Sequence, residues 1–256
     1  MRFLIFFSLL LAAACQSAQK VVSIAPPVEE NPPAPGFDRT GSDPAAIALA
    51  DQVMQAQGGR AAWDNTRYLS WNFFGSRTLL WDKWTGLVRI EWLKKPLKVI
   101  VNIHQNTGKV WMDGSEQTHP DTLKKYLETG KKVWINDSYW LVMPFKLKDS
   151  GVTLKLLPPA PTQDGRPADV LQLTFKGVGV TPDNKYHIWI DRSSHLVTQW
   201  AFFNNFNDEK PRFVNPWQHY ERCGGILLSD ERGREGVSLA PVRVLPAVDT
   251  GVFEAF

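Results

Sequence analysis

Residues 68–103 read YLSWNFFGSRTLLWDKWTGLVRIEWLKKPLKVIVNI, and the alternation in this stretch decides the fold. Leu69, Trp71 and Phe73 point one way. Leu79 and Trp81 alternate with Thr78, Leu80 and Asp82. Val88, Ile90 and Trp92 alternate with Arg89 and Glu91, and Leu97, Val99, Val101 and Ile103 alternate with Lys98 and Asn102. Period two is the mark of a strand with one buried face. Trp84-Thr85-Gly86, Lys94-Lys95-Pro96 and Asn106-Thr107-Gly108 are turn-like separators. Strands this close, joined by short turns, predict an antiparallel meander, with a further short strand at Lys109–Asp113.

Working outward, Asp43-Pro44 predicts a helix start, with Asp at the cap and Pro at the first helical position. Ile47, Ala50, Val53 and Met54 recur at helical spacing, and Gly58-Gly59 supplies a stop. A second helix begins near His119-Pro120. Leu123, Tyr126, Leu127, Gly130, Val133 and Trp134 form its stripe, and it ends before Pro144, because the residue preceding a proline is pushed out of the helical region. Strands are expected again at 152–156, 170–175, 186–191, 196–203, 217–222 and 226–229. With no internal repeat, residues 43–256 read as one α+β domain. The expectation is a single strongly curved antiparallel sheet, a half-barrel of about 9–11 strands covered by two or three helices, since an open sheet that large must curl.

The N-terminus sets the compartment. Met1-Arg2 is a short positive region, Phe3–Leu11 is apolar apart from Ser8, and Ala12-Ala13-Ala14-Cys15 follows. The apolar run is too short to span a bilayer and reads as a signal peptide over 1–14. Small residues before Cys15 resemble a bacterial lipobox, which implies acylation of the Cys15 thiol. Ala12-x-Ala14 equally fits an ordinary secretory cleavage site, giving a secreted or periplasmic product. Residues 15–42 hold Pro26, Pro27, Pro32, Pro33 and Pro35 and read as a lipidated cysteine with an extended tether. The expected location is the cell envelope, anchored to a membrane and facing the periplasm.

Composition limits the function classes. Of 256 residues, 43% are hydrophobic and 21% charged, which excludes disorder over most of the chain. Lys+Arg of 29 against Asp+Glu of 26 is too balanced for a dedicated nucleic-acid binder. Two cysteines make neither a disulfide scaffold nor a structural zinc site, and Cys223 reads as a buried, inert thiol. His104, His119, His187, His195 and His219 fall in no metal-binding frame. G-x-S-x-G, the P-loop and G-x-G-x-x-G are absent, and Gly177-Val178-Gly179 lacks the third glycine. Acidic pairs such as Asp82 with Asp191, or Asp113 with Glu116, have the residue types for acid–base work, but nothing in the sequence places them together. Asp191-Arg192-Ser193-Ser194 reads as a hairpin turn. Lys146-Leu147-Lys148-Asp149 reads as an exposed edge or a partner-facing segment. No catalytic residue, cofactor or metal is expected.

The unusual item is 11 Trp with 14 Phe. Trp71, Phe73, Trp81, Trp92, Trp111, Trp140, Phe145, Trp189 and Trp200 sit in or beside expected strands and are the candidate ligand-binding residues. Bulky aromatics suit a concave sheet with a wide interior, and they suit plain core packing as well.

The signal peptide, the proline-rich tether, the helix ending in Gly58-Gly59, Trp63, the meander and the second helix together resemble the lipoprotein-carrier superfamily. Its named members are the periplasmic and outer-membrane lipoprotein localisation factors. More closely, Ser138-Tyr139-Trp140-Leu141-Val142-Met143-Pro144-Phe145-Lys146-Leu147-Lys148-Asp149, Gly177-Val178-Gly179-Val180-Thr181-Pro182-Asp183-Asn184-Lys185-Tyr186 and Trp81-Asp82-Lys83 look like an uncharacterised bacterial lipoprotein family built on a domain of unknown function. The resemblance implies an eleven-stranded unclosed barrel capped by helices, with an apolar cavity for acyl chains. The expected role is non-catalytic binding or transport of a lipophilic molecule, lipid or acylated protein. The alternatives are an envelope hydrolase and a structural interaction module with all its aromatics in the core.

Overall fold

A computed structural model describes residues 29–233 and 236–256. The signal peptide, Cys15 and the first part of the proline-rich stretch lie outside the described residues.

The meander forms as its alternation dictates. Strands β1 (Tyr68–Phe73), β2 (Arg77–Asp82), β3 (Leu87–Trp92), β4 (Leu97–Asn102), β5 (Thr107–Met112) and β6 (Ser115–Glu116) pair in sequence order, and β14 (Arg243–Leu245) joins outside β1. The register sets Leu69 opposite Trp81, Trp81 opposite Val88, Ile90 opposite Val99 and Val99 opposite Val110. All of these point to one face and are buried. Helix α3 (Pro120–Val142) lies on that face. A Cβ on Gly130 would stand 3.0 Å from Val99 Cγ1 and 3.3 Å from Val101 Cγ1. The missing side chain lets the helix backbone settle against β4.

A second antiparallel group follows in the order β11-β10-β9-β8-β7: β7 (Val152–Leu157), β8 (Ala168–Phe175), β9 (Lys185–Asp191), β10 (Val197–Phe203) and β11 (Phe213–Pro216). Its buried face packs on α1 (Pro44–Ala56) through Ala46, Leu49, Ala50 and Val53. A hairpin of β12 (Gln218–Cys223) and β13 (Ile226–Glu231) completes the strands. The architecture is α+β, with curved, unclosed antiparallel sheet and helices over its apolar face. Its hydrogen bonding is partitioned into groups of seven, five and two strands. The strands beyond the expectation are short: β6, β11 and β14. Gly58, at φ 115°, ends the first helical run as expected, but a short helix α2 (Gly59–Asn65) starts straight after it.

Asp43 precedes α1 but makes no capping bond. Its carboxylate accepts from the Leu156 N–H at 3.0 Å and pairs with Lys155 at 2.9 Å. Residues 29–42, within the stretch read as a tether, run along β7. Asp38 and Asp43 N–H groups donate to the Val152 and Leu154 carbonyls, and Leu154 N–H donates to Ser42 Oγ. Lys148, which the sequence placed on an exposed edge, is buried. Its Nζ holds Asp51 of α1 at 2.6 Å and Glu29 at 3.2 Å.

Two buried charges pin α3. Asp137 is fully buried and takes a two-pronged ion pair from Arg77 of β2, at 2.5 and 2.8 Å. Burial lifts its carboxyl above the ordinary value by more than Arg77 pulls it down. At the helix end, Pro144 has no N–H to offer the Trp140 carbonyl four residues back. The guanidinium of Arg232, itself fully buried and 3.6 Å above the Trp217 ring, donates to that carbonyl instead.

Candidate ligand-binding site

Because α3 occupies the inner face of the seven-stranded group, most of the candidate aromatics pack against it. Trp71, Phe73, Trp81 and Phe145 are buried in that core, and Trp92 is half-buried beside it. Phe145 stacks on Trp63, with ring centroids 4.5 Å apart. Trp111 faces outward, edge-on to Phe256 at 4.9 Å. Trp200 is buried in the second core, and Trp189 is half-buried on β9. Trp140 on α3 touches both cores. It meets Trp200 edge-on at 4.6 Å and Phe74 edge-on at 5.1 Å.

A cavity of about 370 Å³ opens where the two cores meet. The C-terminal half of α3, the Lys146–Ser150 segment, the start of β7, the end of β8 and the Val178–Thr181 loop enclose it. Of the candidate aromatics, Trp140 alone lines it. The other aromatic walls are Trp134, Tyr139, Phe175 and Tyr186, the last three with their rings 5.3–6.2 Å from one another. Tyr186 stacks parallel on Trp200 at 5.4 Å, so the wall is braced from the core. Val178 and Val180 supply apolar surface at the mouth, and Val180 is 49% exposed. The polar rim carries Lys132, Asn136 and the ion pair of Lys146 with Asp149.

Burial raises the Tyr139 phenol well above its ordinary value and pushes Tyr186 up to about 12. Both phenols are neutral at physiological pH. The site is therefore an apolar, aromatic slot with opposed charges at its lip. Such a lining suits an apolar ligand. The sequence reading did not single out Tyr139, Phe175, Tyr186, Val178 or Val180. The signal that marks most of them is the pair of segments quoted above, 138–149 and 177–186, which face each other across this cavity.

The other chemistry-bearing groups lie apart. Asp82 sits under the β2–β3 turn. Burial pushes its carboxyl up, and the Arg67 ion pair at 2.9 Å with the Trp84 and Thr85 N–H groups more than offsets that. Asp191 caps the β9–β10 turn through Ser193 and Ser194, as its sequence implied. A second, polar cavity of about 460 Å³ includes His219, whose Nδ1 lies 2.6 Å from Asp230. The Ser193 and Ser194 hydroxyls at that cavity donate hydrogen bonds to Asp191. Cys223 is half-buried, and burial pushes its thiol up, away from the reactive thiolate. Among the described residues no three His, Cys, Asp or Glu side chains gather as a metal site. No described helix is long and apolar enough to cross a membrane.

No protein family matches the sequence, and no curated protein does. Solved structures do. One is a DUF1329 family protein from Desulfovibrio piger ATCC 29098. It shares 16% identity with this chain, over 83% of this chain and 98% of that one, at a TM-score of 0.44. Another is a LolA superfamily protein from Nitrosomonas europaea, at 8% identity over 81% and 96% of the two chains, with a TM-score of 0.38.

Proposed function

We propose that this protein is a cell-envelope lipoprotein that binds a single acyl chain, without catalysis, in the cavity between α3 and the five-stranded group. The observation that carries this reading is the aromatic slot itself, open at one end and apolar within. At about 30 Å³ for a water-sized group, its 370 Å³ takes about a dozen methylenes, one chain rather than several. Burial of chain surface at about 25 cal/mol per Å² drives uptake. A pocket near the lower end of the roughly 300–1,000 Å³ range of ligand sites suits one slender ligand. The Cys15 lipobox supplies the anchor in this reading, and the bound molecule is a lipid or the chain of an acylated protein.

Native mass spectrometry of the full chain purified from its own host tests the proposal, alongside titration with a fluorescent acyl probe. A co-purified lipid, or saturable uptake lost in Phe175→Asp, supports it. Absence of both rejects it.

A further inference from the structure

One side of the cavity mouth is closed by a contact between two loops. Gly151, at φ +74°, carries no side chain, and a Cβ there would lie 2.8 Å from both methyl carbons of Val178 and 2.6 Å from the Lys176 carbonyl oxygen. The Val178 side chain is therefore seated on bare backbone, and it joins the Lys146–Ser150 wall of the cavity to the Val178–Thr181 wall. Hydrogen bonds fix the chain on either side of this seat. Lys176 N–H donates to the Gly151 carbonyl at 2.9 Å. Asn184 holds Thr181 through its backbone N–H at 3.2 Å and its side-chain amide at 2.6 Å. Between those anchors, Gly177, Val178, Gly179 and Val180 make no hydrogen bond among the described residues. Gly177 and Gly179 stand at φ +66° and +79°, and a Cβ on either would meet nothing within 4 Å. A segment held by one apolar contact, with a glycine in open space on each side of it, belongs to the least stable part of a fold.

We infer that residues 177–180 form a flap over the cavity mouth, latched by Val178 on Gly151 and hinged at Gly177 and Gly179, and that an acyl chain enters and leaves when the flap lifts. This step rests on the acyl-binding reading and concerns how the ligand passes the mouth. The latch is small: two half-buried methyl groups are a contact that breaks readily, whereas the anchors at Lys176 and Thr181 limit the movement to the four residues between them. Val180, 49% exposed at the mouth, offers apolar surface that a bound chain covers, so an occupied cavity favours the closed flap.

A gate and a wall differ in their kinetics. Weakening a latch lengthens the time the mouth stands open, so association and dissociation quicken together and affinity hardly moves. Removing a wall contact quickens dissociation alone. Stopped-flow mixing of the full chain with a fluorescent dodecyl probe separates the two, with thermal melts confirming that each variant is folded. Val178→Ala raises both rate constants about fourfold, with Kd within about twofold of the unaltered protein's. Gly151→Ala places a methyl group in the seat of Val178 and shifts both rates in the same direction; should its strained backbone keep it from folding, Val178→Ala decides alone. Faster dissociation with unchanged association makes Val178 a wall and overturns the flap, as do unchanged rates, and both results leave acyl binding standing. No probe uptake by the unaltered protein overturns both.

Discussion

Replacing Asp137 by Ala removes the carboxylate that fixes α3 to β2. Asp137 is fully buried, whereas the Arg77 side chain keeps 18% of its surface in water. Breaking a buried pair by deleting one partner costs about 3–5 kcal/mol, because the surviving charge stays uncompensated. Arg77 can turn part of its guanidinium to solvent, so the low end applies, about 3 kcal/mol. For a chain of this size each kcal/mol moves the melting temperature by about 2–4 °C, giving a fall of about 6–12 °C. The assay is urea unfolding by circular dichroism with a parallel thermal melt. Arg77→Met combined with Asp137→Leu removes both charges and recovers most of the loss, since a buried pair and a well-packed apolar pair differ little in stability. An Asp137→Ala variant within about 1 kcal/mol of the unaltered protein would refute the argument. So would a double variant no more stable than the single one. Asp137 is followed directly by Ser138, Tyr139 and Trp140, so the same substitution loosens one wall of the cavity and weakens acyl-probe binding.

The cavity volume predicts that affinity for acyl probes rises about fourfold per methylene, from about 0.8 kcal/mol each, and levels off near a dozen carbons; a calorimetric chain-length series still climbing at eighteen carbons would show that the slot is not the site. Gly130→Val drives a side chain into Val99 and Val101 and lowers stability by about 1–3 kcal/mol, measured by urea unfolding. Two histidines shape the pH profile in opposite senses. His187 is pushed down to about 4 by burial and then by Lys185, so its contribution is present near pH 6.5 and lost as pH falls toward 4. His219 is raised by its hydrogen bond to Asp230, so its contribution is present below pH 6.5 and lost as pH rises through the folded value. Unfolding curves across pH check this, with His187→Gln flattening the acid limb and His219→Gln the alkaline one. Lys148→Met releases Glu29 and Asp51 and makes residues 29–42 the first site of limited proteolysis, read by mass spectrometry.

The strands were legible because alternation in 68–103 has one solution, and the turns between them carry their own chemistry. The ends of α3 were legible from Pro120 and Pro144 for the same local reasons. The strands β6, β11 and β14 carry too few residues to show a period, and they exist because a neighbour offers hydrogen bonds. The site was harder to read. An inward-facing Trp71 or Trp81 has the same sequence signature whether a helix or a ligand covers it. That choice is made by Gly130, which lets α3 settle into the sheet, and by the long-range meeting of 138–149 with 177–186. Neither leaves a periodic trace. The exposed reading of 146–149 failed at Lys148 because its partners, Glu29 and Asp51, are distant in sequence.

The docking of residues 29–42 has a meaning for solubility. β7 is the last strand of its group, and Val152, Leu154 and Leu156 present their peptide groups outward there. The 152 and 154 carbonyls and the 154 and 156 N–H groups are all taken by Asp38, Ser42 and Asp43. A chain that would otherwise offer an open template to a neighbouring molecule is capped by its own residues 29–42, without that segment becoming a strand. Residues 29–42 precede β7 in the chain, so each molecule carries its own protection against self-association from the moment β7 forms.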